Sequence, residues 1–138
     1  MMKILITTLT LSEKCGLGRY SLDLIGELAK ENELIIFTAK QDKELNLSFP
    51  NSKIFYIFPG ESKIYRIMRP WLFLKYLFKI YPQAKKVDLI HSFMDFPYSF
   101  LAVVIGLLSG KPAVSTAHGT YSVVPFFSRR WSGLLRWT

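Results

Sequence analysis

Five short runs of β-branched and aliphatic residues recur along the chain, separated by stretches with helical spacing. The runs are KILITT (Lys3–Thr8), LIIFT (Leu34–Thr38), KIFYIF (Lys53–Phe58), VDLIH (Val87–His91) and PAVSTA (Pro112–Ala117). They do not follow the apolar–polar alternation of a strand with one wet face, so each reads as a strand buried on both faces. Between them, Arg19–Lys30 sets Leu22, Ile25, Leu28 and Ala29 on one side of a helix, with Leu24 widening that face. The stretch Ala39–Ser52 is polar and reads as loop with at most one helical turn, and Pro59-Gly60 breaks the third run. Pro70 suits a first helical turn, which predicts a helix over Pro70–Tyr81. Phe96–Ser109 reads as a largely buried helix stopped by Gly110, and Phe126–Trp137 starts another. Buried strands alternating with helices predict an α/β fold: a Rossmann-like parallel sheet with helices on both faces. No repeat, low-complexity tract or linker interrupts residues 1–138, so a single domain is expected.

The 138 residues are half apolar and one fifth charged, which excludes a disordered chain. Cys15 is the only cysteine, so there is no internal disulfide framework, in keeping with a reducing compartment. Met1–Thr10 lacks the pattern of a secretory signal. No run reaches the roughly 20 apolar residues of a spanning helix. The last segment, Arg129–Trp137, is amphipathic, holds Trp131 and Trp137, and has nothing after it to pack on. An incomplete domain is therefore expected. Charge is unevenly spread. Residues 1–62 hold seven basic and eight acidic residues, whereas residues 63–138 hold eleven basic residues against Asp88 and Asp95 alone. Such a split points to an anionic partner for the second part: a membrane surface, a nucleic acid or a phosphorylated ligand.

The sequence KCGLGRYS (Lys14–Ser21) lies between the first strand and the first helix. It is not a dinucleotide fingerprint, because the third glycine is missing and the loop from Thr8 to Gly16 is long for a tight turn. The second strand also ends at Thr38-Ala39-Lys40 with no carboxylate for a ribose. Two readings of this loop stay open. Gly16 and Gly18 can let the backbone approach an anion at the helix N-terminus, with Arg19 as a positive fork. Alternatively Gly18 serves only the turn and Arg19 is a solvated surface residue. Cys15 is read as incidental. No cluster has metal-ligand spacing, and no Ser-His-Asp arrangement is legible.

GLGRYSLDLIGELAK (Gly16–Lys30) resembles the loop and first helix of the family 4 glycosyltransferases, nucleotide-sugar-dependent enzymes of the GT-B fold. VDLIHSFMDFPYSFLA (Val87–Ala102) resembles that family's fourth strand, histidine loop and following helix. GKPAVSTAHGT (Gly110–Thr120) resembles its next strand and H-G-T loop. The resemblance implies the first part of an amino-terminal, acceptor-side domain, with the carboxy-terminal donor-binding domain and its E-x7-E motif absent. This fragment alone is therefore expected to be inactive. By the same resemblance, Gly16, Gly18 and Arg19 lie against the donor diphosphate. His118 sits near the transferred sugar as the catalytic candidate, with Gly119 and Thr120 completing its loop, and His91 helps form the cleft wall. The implied reaction moves a sugar from a nucleotide sugar to an acceptor hydroxyl on a lipid-linked or cell-envelope glycan. Retention of anomeric configuration, no metal and no cofactor beyond the nucleotide-sugar co-substrate are implied with it. A histidine at a strand end also has a purely structural reading, as a hydrogen-bond partner.

SKIYRIMRPWLFLKYLFKIYPQAKK (Ser62–Lys86) carries seven basic residues and no acid. Lys75 and Lys79, four apart, share a helical face amid broad apolar surface, with Arg69 and Trp71 just before them. This suits a helix in a membrane interface, lysines at anionic headgroups and rings at the acyl boundary. The other reading packs the helix on the sheet with its lysines reaching water. The expected location is cytoplasmic, peripheral at the cytoplasmic face of the membrane. A non-catalytic membrane-binding or interaction module is the alternative function. A nucleic-acid partner is not expected, because RRM, KH and helix-turn-helix patterns are missing and the basic residues are embedded in bulky apolar ones.

Overall fold

In the computed structural model, residues 1–119 are described. Thr120 and the predicted helix Phe126–Trp137 lie outside them. Five strands form one all-parallel sheet: β1 (Lys3–Thr7), β2 (Glu33–Ala39), β3 (Ser52–Phe58), β4 (Leu89–Ser92) and β5 (Ala113–Ser115). Their spatial order is β3-β2-β1-β4-β5. Three α-helices connect them: α1 (Gly16–Glu31), α2 (Pro70–Ala84) and α3 (Tyr98–Ser109). Short 3-10 segments occupy Lys40–Leu45 and Glu61–Met68.

The two faces of the sheet bury two cores, as period-two strands require. On one face Leu5, Ile35, Phe37 and Ile90 pack with Ile80 and Ala84 of α2 and Leu101 and Ile105 of α3. On the other face Ile4, Ile6, Leu34 and Ile36 pack with Ile25 and Ala29 of α1. β1 is central, with Leu5 level with Ile35 of β2 and Ile90 of β4. The order reverses between β1 and β4, and ligands of open α/β sheets bind at the carboxyl ends of strands at such a switch.

All five predicted strands form, and the three predicted helices within the described residues form with shifted ends. Helix α1 begins at Gly16, three residues before Arg19, so the two glycines stand in its first turn rather than in the preceding loop. Helix α2 runs past Tyr81 to Ala84 and tolerates Pro82 because that residue falls in the last turns, where one backbone bond is lost. β4 starts at Leu89, after Asp88 has turned both its N–H and its side chain to Lys3: Asp88 N donates to Lys3 O at 2.8 Å and Lys3 N donates to Asp88 Oδ2 at 2.8 Å. Helix α3 starts at Tyr98, with Pro97 as its N-cap. The segment Glu61–Met68 is two 3-10 turns that meet at a kink at Lys63, and it buries Ile64 and Ile67.

Candidate functional site

The site is built from the chain that leaves β1. Thr8 is fully buried and its Oγ1 lies 2.8 Å from Ser21 Oγ of α1. The next residues are held from below by Asp42, a carboxylate only 1% exposed. Asp42 accepts from Thr10 Oγ1 (3.0 Å), Leu11 N (2.9 Å) and Thr38 Oγ1 (2.5 Å). These bonds replace the water that a buried carboxylate has lost, and they fix the loop. The loop then crosses the start of α1, where a Cβ on Gly18 would stand 2.0 Å from Ser12 O. Gly18 is therefore required for close approach of two backbone segments. A Cβ on Gly16 would meet nothing within 4 Å.

Cys15 is not incidental to this helix. It is the N-cap residue, and its Sγ accepts from Gly18 N at 3.4 Å. Arg19 N closes the first intrahelical bond onto Cys15 O at 3.0 Å. The N–H groups of Gly16 and Leu17 are left without an intrahelical acceptor, at the end of the helix that carries partial positive charge. Arg19 is exposed and makes no ion pair among the described residues.

The second half of the site comes from β4, β5 and the loop after β5. His91 Nε2 lies 3.0 Å from Thr116 Oγ1, and Thr116 N donates to Ser92 O at 2.9 Å. Burial pushes the His91 imidazole below its ordinary pKa, so its neutral form is favoured. His118 N donates to Oδ2 of Asp95 at 2.9 Å, and Asp95 is 4% exposed. This bond ties the loop after β5 to the loop after β4. The Nε2 atom of His118 is buried and has no hydrogen-bond partner among the described residues. Gly119, next in the chain, takes a positive φ of 82°, a conformation that favours glycine.

Tyr20 joins the two halves. Its ring meets the His118 imidazole edge-on, with centroids 4.8 Å apart at 75°. Its hydroxyl donates to Thr116 Oγ1 at 3.5 Å. Phe93 fills the space beside them, 6.0 Å from the Tyr20 ring and 4.6 Å from His91. The fold thus brings His91, His118 and the first turn of α1 together at the switch between β1 and β4. Arg69, Trp71, Lys75 and Lys79 are on or beside α2 and exposed, on a different surface from this cluster. Among the described residues, no three His, Cys, Asp or Glu side chains are grouped to hold a metal ion.

Tyr20, Thr116, Asp95 and Asp42 are absent from the residues singled out by sequence. For Asp95 a signal existed: it is a lone acid inside the apolar run SFMDFPYSF, and an acid there needs a buried partner. Thr116 and Tyr20 carry no such mark, because a threonine in a strand-like run and a tyrosine in an amphipathic helix are ordinary.

Compared with known families, the chain matches the model described as Glycosyltransferase Family 4 over residues 15–138. No curated protein matches it.

Proposed function

Because the chain belongs to glycosyltransferase family 4, we propose that it forms the acceptor-side, amino-terminal part of an enzyme that moves a sugar from a nucleotide sugar to an acceptor hydroxyl. The observation that carries this reading is His118: its backbone N–H is held by Asp95, and its ring, edge-on to Tyr20 of α1, carries a buried Nε2 with no partner among the described residues. A neutral imidazole nitrogen there can accept from a sugar hydroxyl, and an imidazolium can stabilise charge developing at the reacting centre. The open Cβ position of Gly16 and the free N–H groups of the first turn suit a diphosphate, with Arg19 as a flexible counter-charge. By the same reading Gly119 lies in the loop beside the transferred sugar, and His91 lines the wall of the cleft.

The acceptor is a lipid-linked or cell-envelope glycan reached at a membrane. The support is the outer face of α2, where Trp71, Leu74, Lys75, Phe78 and Lys79 follow one helical stripe and are all exposed. Trp71 is 83% and Phe78 72% exposed. The opposite face of α2 packs on the sheet through Tyr76, Ile80 and Ala84, so packing and an apolar outer surface coexist on this helix. No helix among the described residues is long and apolar enough to cross a membrane; the contact proposed here is that of an amphipathic helix lying in the interface.

The test is sugar transfer in the complete reading frame that contains these residues. His118→Ala is expected to lower turnover by about 100-fold or more while the fold survives. Near-normal activity would remove His118 from the reacting centre. The second reading, a membrane-binding module without catalysis, rests on the same stripe on α2. Vesicle binding by a protein that neither binds nor turns over any sugar nucleotide would favour it.

A further inference from the structure

Tyr20 is linked to both histidines, to His118 directly through its ring and to His91 through the hydroxyl of Thr116. Its hydroxyl donates to Thr116 Oγ1, and Thr116 Oγ1 is 3.0 Å from His91 Nε2. Its ring stands edge-on to His118. A threonine hydroxyl has one hydrogen and two lone pairs. With one lone pair engaged by Tyr20, Thr116 can accept again or donate, and donating its hydrogen to His91 Nε2 gives the chain of aligned donors in which each bond strengthens the next. A neutral imidazole has one N–H, so Nε2 as acceptor leaves that N–H on Nδ1.

We propose that Tyr20 is a positioning residue for both imidazoles: through Thr116 its hydroxyl fixes His91 as the Nδ1–H tautomer, and its ring sets the orientation of His118. Tyr20 lies one residue after Arg19 in the first turns of α1. Any ligand that settles on the N-terminus of α1 therefore acts on a helix segment in contact with His118 and linked through Thr116 to His91. This last step rests on the glycosyl-transfer reading above. The tautomer assignment does not, since it follows from the hydrogen-bond chain alone.

The experiment is a long-range 1H–15N correlation spectrum of imidazoles in the full-length, histidine-labelled protein. His91→Gln and His118→Gln assign the two signals. The expected wild-type result is an Nδ1–H pattern for His91. Tyr20→Phe keeps the ring and removes the hydroxyl, so His91 should become a mixture of tautomers while the His118 signals stay in place. Thr116→Val should disturb His91 in the same way without removing any part of Tyr20. Tyr20→Leu should move the His118 ring signals, because the edge-on ring is lost. A wild-type His91 in the Nε2–H form would overturn the proposal. So would a His91 pattern that neither Tyr20→Phe nor Thr116→Val changes. In parallel, sugar transfer is measured: if the wild type transfers sugar, Tyr20→Phe should lower kcat severalfold with little change in the donor KM. If the wild type transfers none, the functional reading fails while the tautomer result still decides this proposal.

Discussion

The backbone carbonyl of Ser12 fills the space where a side chain on Gly18 would stand, with only 2.0 Å between Ser12 O and the position of a Cβ. Gly18 is buried and Gly16 is open, although they are one residue apart in the same helical turn. Gly18→Ala must therefore push the loop off α1, at a cost of about 3 kcal/mol, the upper end for overpacking. Gly16→Ala leaves stability within about 1 kcal/mol of wild type. Thermal or denaturant unfolding of the two variants checks the difference. Equal stabilities would mean that the crossing is not tight.

Asp95 accepts from His118 N, and its own carbonyl accepts from Ser99 N at 3.0 Å. Asp95→Ala removes the side-chain acceptor from a part-buried N–H and is expected to cost about 1–3 kcal/mol. Asp95→Asn keeps an oxygen in place and should retain most of that stability. If the loop after β5 is set by this bond, Asp95→Ala also lowers sugar transfer while Asp95→Asn does so less. Indistinguishable activities for the two variants would contradict that role.

His91 gives a pH signature. Its folded-state pKa is lowered by burial, so the unfolded chain takes up the proton first as pH falls. The His91 contribution is constant above the unfolded value of about 6.5. Stability then declines as pH drops through that value, and the decline levels off once the folded value is passed. His91→Gln should flatten this part of the stability–pH curve, which urea titrations across pH 4–8 would show (about that span, bracketing the free histidine value). An unchanged curve would mean that His91 does not carry the burial effect.

The outer stripe of α2 is separable from the fold. Trp71, Lys75, Phe78 and Lys79 are exposed, so substituting them should change stability by no more than about 0.5 kcal/mol each. A lysine near an anionic surface contributes about 1 kcal/mol, so Lys75→Gln with Lys79→Gln should weaken binding to anionic vesicles by roughly 30-fold. Trp71→Ala with Phe78→Ala should weaken it on neutral and anionic vesicles alike. Co-sedimentation that is insensitive to all four changes would rule out this face as the contact.

Much of the sheet was legible because its strands are rich in apolar residues: β1 and β2 are buried almost throughout, although the edge strands β3 and β5 are half-buried to exposed rather than buried on both faces as the sequence suggests. Runs such as LIIFT and KIFYIF are apolar at nearly every position and leave little choice of structure. Pro70 marked the start of α2 for an equally local reason, its fixed φ and missing N–H. The start of α1 was misjudged because its cap is a cysteine, whose sulfur is a weak acceptor and no common N-cap. The candidate site was legible in its histidines, through family resemblance rather than spacing, and in Gly16, Gly18 and Arg19, which stand in the first turn of α1. Asp42 reaches Leu11 across 31 positions and Tyr20 reaches Thr116 across 96, and no local pattern encodes such a meeting.

The central place of β1 has a consequence for the chain as it is made. Of these five strands β1 is made before the others, and it gains its second neighbour only when β4 follows, since Thr7 pairs with Ser92. At about 5–20 residues per second, the wait between them is roughly 4–17 s. In that interval β1, α1 and β2 can close as one unit, with the α1 side of the sheet covered. The other face, with Leu5, Ile35 and Phe37, stays wet until α2 and α3 arrive. A nascent chain stalled before α2 would display that greasy face, and it is there that a chaperone would be needed.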